Sequence, residues 1–331
     1  MPLTEFQEQS ATPTVKSLAL LNYSFKARDL LLDRSTLTIS RVQDGLFSSP
    51  RANLPSGILS QQPEKPENQP PPDKSQYTLF NPTPRKFWRS FNPSRPSKTD
   101  SPFTVDAGAF QIESDLVTYT RDFNTPDGTK IEAFTVLIPV IRVGLLNNVD
   151  FQVQAQTYNH LSTRFPDGSR QVQSGYGDTI IGVRVNFWGN DGGKTAFGMV
   201  TSVKFPTNQD GLGNNAIEGG ITLPLAIQLS DQLNLGLQTA FTFNKNSIDP
   251  GYNVGFINSA SLSYQITPKL GAYGEIFTSV TTERNSDLVA TFDLGVTYLI
   301  TENFQIDSGI NIGLTKAADD LNPFIGFSVR F

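Results

Sequence analysis

The sequence predicts an all-β protein: a transmembrane, antiparallel, up-and-down β-barrel of about twelve strands, preceded by a mostly disordered N-terminal extension. Three observations support this prediction. From about residue 110 onward, apolar and polar residues alternate, which is the two-residue period of strands with one apolar face. The connections between these segments are alternately short and long. The last segment ends on an aromatic residue, with apolar residues at two-residue steps before it.

The N-terminal part of the 331-residue chain has a different composition. Residues 1–100 contain 13 Lys and Arg against 9 Asp and Glu, whereas residues 101–331 contain 13 against 22. Eleven of the 22 prolines fall between Pro50 and Pro96. Proline fixes φ and cannot donate a ladder hydrogen bond. We therefore predict a poorly ordered tail at 1–49, a Pro-rich linker or spacer at 50–100 and an outer-membrane β-barrel at 101–331. No export signal is recognisable in the sequence as written.

Twelve alternating segments follow residue 109, which allows about 18 residues for each strand and its connection. Strands of about ten residues suit a tilted membrane span. Short connections fall near 146–148, 189–192, 230–232, 267–269 and 301–303, and longer ones near 124–130, 162–177, 206–215, 245–252, 282–287 and 316–322. Short periplasmic turns and long outer loops characterise bacterial outer-membrane barrels, and an even strand number places both termini in the periplasm. Pro139 and Pro224 fall inside segments and predict bulges or shorter strands.

The two faces of the segments differ in chemistry. The polar face consists mainly of Gly, Ser, Thr, Asn and Gln, which suits a lumen better than a solvent-exposed surface. A soluble protein with its apolar face inside is the alternative. The charged residues predicted to line the lumen are Glu113, Asp115, Arg184, Lys204, Glu218, Glu275, Asp293, Asp307 and Arg330. The aromatic residues predicted to form girdles at the membrane interfaces are Phe187, Trp188, Phe205, Tyr298, Phe304 and Phe324.

The C-terminal segment places Ile325, Phe327, Val329 and Phe331 on one face. This ending resembles the C-terminal strand signal of bacterial outer-membrane proteins, which their assembly machinery reads. The predicted partners are therefore outer-membrane lipid, the barrel assembly machinery and a small solute. Nucleic acid is not expected, because residues 101–331 carry a net charge of −9.

Four stretches resemble a known barrel family. Residues 95–113 read RPSKTDSPFTVDAGAFQIE, 139–145 read PVIRVGL, 175–178 read GYGD and 204–207 read KFPT. The sequence from about residue 95 to 331 resembles the family named for a MetA pathway of phenol degradation. The resemblance implies an outer-membrane "transporter" barrel, with a porin-like function and an unassigned solute.

Few residues offer catalytic chemistry. The chain has one histidine and no cysteine, which excludes thiol nucleophiles, cysteine-based zinc sites and multi-histidine metal sites. His160 and Ser162 stand two apart, as in outer-membrane phospholipase A, but the alternation predicts that His160 faces the lumen, and a serine nucleophile needs a base with an orienting group. We therefore expect no enzymatic activity, no cofactor and no metal.

The function predicted from the sequence is a porin-like channel or transporter for small solutes. The predicted lumen has six acids and three bases, so we expect a weak preference for cations. Twelve strands enclose a narrow lumen, which side chains or the N-terminal segment could close. The alternative is a non-transport outer-membrane barrel: either a lipid-acting enzyme of the phospholipase A type, or a structural or binding protein with a plugged lumen.

Overall fold

The computed structural model describes residues 73–125, 127–247 and 250–331. The predicted tail at 1–49 and the linker up to residue 72 lie outside the described residues. A short 3-10 helix, Arg85–Phe87, precedes the strands. Among the described residues, no helix combines the length and the apolar character needed to cross a membrane.

Fourteen strand segments follow one another along the described chain. They are β1 (Phe110–Asp122), β2 (Lys130–Leu146), β3 (Val149–Ala155), β4 (Tyr158–Arg164), β5 (Arg170–Gly175), β6 (Thr179–Trp188), β7 (Thr195–Phe205), β8 (Glu218–Gln228), β9 (Leu233–Lys245), β10 (Tyr252–Gln265), β11 (Leu270–Thr281), β12 (Val289–Thr301), β13 (Phe304–Gly313) and β14 (Leu321–Arg330).

These segments form a closed barrel of twelve strands. β3 and β4 both pair with β2, while β6 pairs with β3 and β5 pairs with β4. Each of the pairs β3–β4 and β5–β6 is therefore one barrel strand with an interruption. β1 pairs with β2 on one side and β14 on the other, so the ring of strands closes through β1, β2, β3 and β6, while β5 pairs with β4 alone. The predicted antiparallel barrel of twelve strands is confirmed.

Four neighbouring barrel strands change face at one level. On β1, the consecutive residues Leu116 and Val117 are both exposed. On β2, the exposed residue Leu137 has a positive φ of 54°. Thr157, in the interruption between β3 and β4, donates its backbone N–H to the Leu137 carbonyl. Beyond this level the inward residues shift by one position, which the strict two-residue period cannot predict.

The two ends of the barrel differ in their connections. We call the end with connections 147–148, 189–194, 229–232, 266–269 and 302–303 the turn end, and the end with 123–129, 165–169, 206–217, 246–251, 282–288 and 314–320 the loop end. The long connection predicted at 162–177 is wrong, because it contains the end of β4 and all of β5. Residues 171–174 alternate in burial there, with Gln173 facing inward, so they continue the barrel wall.

The outer face of the barrel is apolar. On β12, Leu294 and Val296 are 41% and 48% exposed, whereas their neighbour Asp293 is fully buried. The predicted girdle residues Phe187, Trp188, Phe205 and Tyr298 are also exposed. Phe324 is an exception: it is buried, because the exposed side chain of Ile325 fixes the outer face of β14 and turns its neighbour inward.

Both prolines flagged in the sequence lie within strands. Pro139 lies two residues beyond Leu137, next to the change of face. The β7–β8 ladder is interrupted at Pro224: Phe197 pairs with Leu225, and the following pair is Val200 with Thr222. Pairing therefore resumes in the same register. β2 and β8 therefore extend through their prolines, and the ladder around Pro224 is locally weakened.

Candidate functional site

Residues 73–109, which we call the plug segment, lie partly at the turn end, where Phe80 is exposed, and partly inside the barrel. Residues 94–100 make hydrogen bonds to inward side chains of β1, β6, β9, β10, β11, β12 and β13. Only a segment enclosed by the barrel can reach strands on so many sides. The structure therefore places residues 94–100 of the predicted Pro-rich linker inside the barrel. Its residues Arg95 and Lys98 pair with buried acids of the wall, and these pairs hold the segment in place.

Near the turn end, three cations surround two carboxylates. The Lys74 ammonium lies 3.1 Å from Asp106 and 2.6 Å from Asp191, and the Arg89 guanidinium lies 3.0 Å from Asp191. Arg330 approaches Asp106 at 3.7 Å. Burial raises the pKa of Asp191, but the hydrogen bonds and attraction from Lys74 and Arg89 outweigh this effect, so the pKa lies below its usual value. Asp191 therefore stays ionised and anchors the segment.

Further inside, two cations of the plug segment cross to the wall. The Arg95 guanidinium lies 2.6 Å from Asp115 on β1 and 2.6 Å from Asp307 on β13. The Lys98 ammonium lies 3.2 Å from Asp293 on β12. Asp293 and Asp307 have fully buried side chains, and buried charges persist in proteins when they are paired. Arg95 therefore joins two barrel strands through the plug segment.

Carboxylates of the wall also bind backbone N–H groups of the plug segment. Glu275 accepts hydrogen bonds from the backbone N–H groups of Lys98 at 2.7 Å and Thr99 at 2.6 Å. Glu113 accepts one from Ser94 at 2.8 Å. The segment has no ladder partner over these residues, so the two acids satisfy donors that would otherwise be buried without an acceptor.

Two buried arginines of the wall complete the ion-pair network. Arg142 on β2 contacts Glu113 at 3.0 Å and Asp150 at 2.5 Å. Arg184 on β6 contacts Asp100 of the plug segment at 2.9 Å and also donates to the Ser101 carbonyl. Both arginines are no more than 2% exposed. Wall arginines and wall acids therefore both hold the segment, which makes its position sensitive to single charge changes.

Two wall glycines allow the plug segment to approach the backbone closely. A Cβ atom at Gly144 on β2 would lie 2.0 Å from the Asp106 carbonyl oxygen, and one at Gly326 on β14 would lie 2.2 Å from an Arg95 nitrogen. Ala107 also forms a bridge with Gly144. Neither position accepts a side chain without displacement of the segment or its guanidinium.

At the loop end, a connection folds inward over the barrel. Leu212, in the β7–β8 connection, is fully buried and packs with Ile131, Ala133 and Leu161. On the adjacent wall, the Lys204 ammonium lies 2.7 Å from Glu218 and 3.2 Å from Asp178. The opening at this end is therefore narrowed by an apolar cluster and an ion-pair group.

Of the nine charged residues predicted to line the lumen, seven are buried in the structure, and Asp115 and Glu218 are half-buried. Lys204 and Glu218 pair at the loop end. The residues that contact the plug segment are Glu113, Asp115, Arg184, Glu275, Asp293, Asp307 and Arg330. At the C terminus, Ile325 and Phe331 are exposed, and Phe327 and Val329 are half-buried on the same face.

The sequence analysis did not identify the residues that form ion pairs with the predicted lumen residues or within the same network. The missed residues are Lys74, Arg89, Arg95, Lys98, Asp100, Asp106, Arg142, Asp150, Asp178 and Asp191. The sequence contained one signal for them. Residues 1–100 carry +4 and residues 101–331 carry −9, and this segregation of charge is expected of two parts that pair with each other.

The predicted inward orientation of His160 is wrong. The change of face at 156–157 puts His160 on the outside, where its ring stacks on the exposed Phe134 at 5.0 Å. Its Nδ1 lies 2.8 Å from the Ser174 hydroxyl, whereas the Ser162 hydroxyl accepts a hydrogen bond from Arg170. His160 and Ser162 therefore have different partners.

The sequence of the barrel and of the adjoining plug residues identifies the family. The model of the family described as "Putative MetA-pathway of phenol degradation" matches residues 93–331, well over half of the chain. The chain belongs to this family. The match begins within the plug segment, at the residues that reach Glu113 and Asp115, so this family's sequence pattern includes part of the plug as well as the barrel. No curated protein matches the chain in sequence.

The chain was also compared with solved structures. An outer-membrane channel from Pseudomonas putida F1 superimposes with a TM-score of 0.51 at 12% identity, over 67% of this chain and 94% of that one. The NanC porin superimposes with a TM-score of 0.42 at 10% identity, over 66% of this chain and 98% of that one. At this identity the similarity to the P. putida channel concerns the fold alone: this member of the MetA-pathway family shares its β-barrel architecture.

Proposed function

We propose that the protein is an outer-membrane channel for small solutes, and that displacement of the plug segment opens its lumen. The observation that carries this proposal is the set of hydrogen bonds from residues 94–100 to strands around the barrel. A segment seated in this way obstructs a twelve-stranded lumen, whose interior is already narrow. The resemblance in fold to an outer-membrane channel supports the same function.

The ion pairs provide a reversible means of closure. Each cation of residues 94–100 faces carboxylates on the wall: Arg95 faces Asp115 and Asp307, and Lys98 faces Asp293. Water that enters beside the segment would solvate both partners of a pair, which reduces the free-energy cost of separating them. The acidic wall would then line the open lumen and favour cations over anions.

The apolar outer face supports a location of the barrel in a lipid bilayer. The exposed side chains of residues such as Ile276, Leu294 and Val296 suit contact with lipid tails. In this orientation the turn end and both termini face the periplasm, and the loop end faces the cell exterior. The exposed C-terminal residues Ile325 and Phe331 would be available to the assembly machinery.

A disulfide between the plug segment and the wall tests the proposal. The chain has no cysteine, and the hydroxyl oxygens of Thr99 and Ser259 on β10 lie 2.7 Å apart. The variant Thr99→Cys/Ser259→Cys should form a bond that fixes the segment inside the barrel. In planar bilayers, we expect the oxidised variant to lose conductance and dithiothreitol to restore it.

The controls are the single variants Thr99→Cys and Ser259→Cys, which should conduct equally with and without reductant. Full conductance of the oxidised double variant, with the bond verified by mass spectrometry, would contradict the role of the plug segment. The number of buried ion pairs also favours a second candidate, a binding barrel whose lumen remains closed. That function predicts no conductance for the wild type or for the reduced variant.

A further inference from the structure

A cavity of about 280 Å³ lies between residues 94–100 of the plug segment and the inner wall toward the loop end. Its volume is slightly below the ~300–1,000 Å³ of pockets that hold drug-sized ligands. An occupant is therefore the size of a single sugar ring. On the route from the loop end, this cavity is where an entering solute meets the seated plug segment.

The wall of this cavity contains buried donors without acceptors among the described residues. They are the side-chain amide nitrogen of Gln154 and the Nε atoms of Arg142 and Arg184. All three residues are no more than 3% exposed, and all three line the cavity. They are neighbours in the sheet, because β2 pairs with β3 and β3 pairs with β6. Buried donors of this kind are rare in proteins, and three together call for oxygen acceptors from outside the chain.

The charges around the cavity favour an uncharged occupant. Each cation that lines it already contacts a carboxylate: Arg95 contacts Asp115, and Lys98 contacts Asp293. Arg142 and Arg184 likewise contact carboxylates. An anion would therefore meet cations that are already neutralised, beside four acids that line the same cavity: Asp100, Glu113, Asp115 and Asp319. A cation would meet the unsatisfied N–H donors. An uncharged solute with several oxygen atoms suits both features.

The remaining lining matches a polyhydroxylated ring. Amide and hydroxyl groups both donate and accept hydrogen bonds, as sugar hydroxyl groups do. These residues are Thr118, Thr120, Thr135, Thr291, Asn311 and Asn322. The apolar side chains of Ile138, Val140 and Val289 also line the cavity and would contact the C–H groups of a ring.

We propose that this cavity binds an uncharged, oxygen-rich solute of monosaccharide size, held in part by the Gln154 amide. The proposal rests on the proposed function, because it assigns a substrate class to the same lumen. In this proposal, the solute binds in the cavity while the plug segment is still seated. Gln154 then positions the solute through its unpartnered N–H group.

Binding to the full-length protein in detergent tests the proposal without a membrane. The neutral probes are D-glucose, D-galactose and D-mannose, and the ring-matched charged probes are D-glucuronate and D-glucosamine. Binding is measured by saturation-transfer NMR, and dissociation constants are obtained by titration. We expect at least one neutral sugar to bind with a millimolar dissociation constant, and both charged probes to bind at least tenfold more weakly.

The variant Gln154→Leu should weaken binding of the neutral sugar at least tenfold, because it removes the donor and preserves the approximate size of the side chain. Thr118→Val, which removes another unpartnered hydroxyl in the cavity, provides a second variant if Gln154→Leu does not fold. The control is Gln228→Leu, at an exposed position near the turn end, which should bind as the wild type does. Heat-modifiable gel migration verifies folding of each variant.

Three results would overturn this assignment: no binding by any neutral sugar, tighter binding of a charged probe, or unchanged binding by both cavity variants. These results are separate from those that test the channel. Sugar binding by a protein that does not conduct would refute the channel and retain the site. Conductance without sugar binding would refute the site and retain the channel.

Discussion

Replacement of Arg95 by Gln should displace the plug segment and open the lumen. In the structure, this guanidinium lies 2.6 Å from both Asp115 and Asp307, and the Asp307 side chain is fully buried. Removal of one partner from a buried ion pair typically costs ~3–5 kcal/mol, because the remaining charge is left buried without compensation. Since every 1.4 kcal/mol is tenfold, the ratio of displaced to seated plug segment should rise roughly 100- to 4,000-fold.

Single-channel recordings in planar bilayers measure this change as the fraction of time spent in the conducting state. The matched control is Arg164→Gln, which makes the same change of charge and side chain at an exposed position at the loop end of β4. We expect a large rise in the open fraction for Arg95→Gln and none for the control. Equal open fractions in the two variants would refute the conclusion that the Arg95 ion pairs hold the segment.

Three further predictions follow from the same structure. Because the pKa of Asp191 is lowered from its usual value, its ion pairs with Lys74 and Arg89 should persist from about pH 7 to pH 5 and be lost only as the pH falls through that lowered pKa. Protonation of the Asp191 carboxylate near pH 6, measured by NMR titration, would contradict their role as anchors. The acidic wall should give a weak cation preference, measured as a reversal potential in a salt gradient, and equal permeability to both ions would contradict it. Leu294→Arg should lower the free energy of unfolding in lipid vesicles by ~2–4 kcal/mol if that residue lies near the bilayer midplane, and an unchanged value would contradict contact with lipid.

The barrel could be predicted because its determinants are local. Alternation along a strand requires only neighbouring residues, as in β12, where Asp293 is buried and Leu294 is exposed. The change of face could not be predicted in this way. It depends on the positive φ of Leu137 and on the hydrogen bond that its carbonyl accepts from Thr157 on the adjacent strand. The periodicity of a single strand indicates neither of these features. The wrong orientation of His160 follows directly from that omission.

The plug could not be predicted because its contacts join residues far apart in the sequence. Arg95 and Asp307 are 212 positions apart, and Lys98 and Glu275 are 177 apart. Proline content correctly predicts the absence of ladder pairing but contains no information about where an unpaired segment lies. The opposite net charges of the two parts of the chain indicated an electrostatic interaction, and the structure identifies the residues that make it.

The arrangement of faces is the basis of every functional conclusion, and gel migration of the unboiled protein tests it most directly. The protein is extracted from outer-membrane fractions and compared in detergent before and after boiling. A membrane barrel with Ile276 and Leu294 toward lipid predicts that the protein occurs in this fraction and migrates differently when boiled. A protein that is soluble without detergent and migrates identically in both states would contradict the outward apolar face, and with it the channel and the plug.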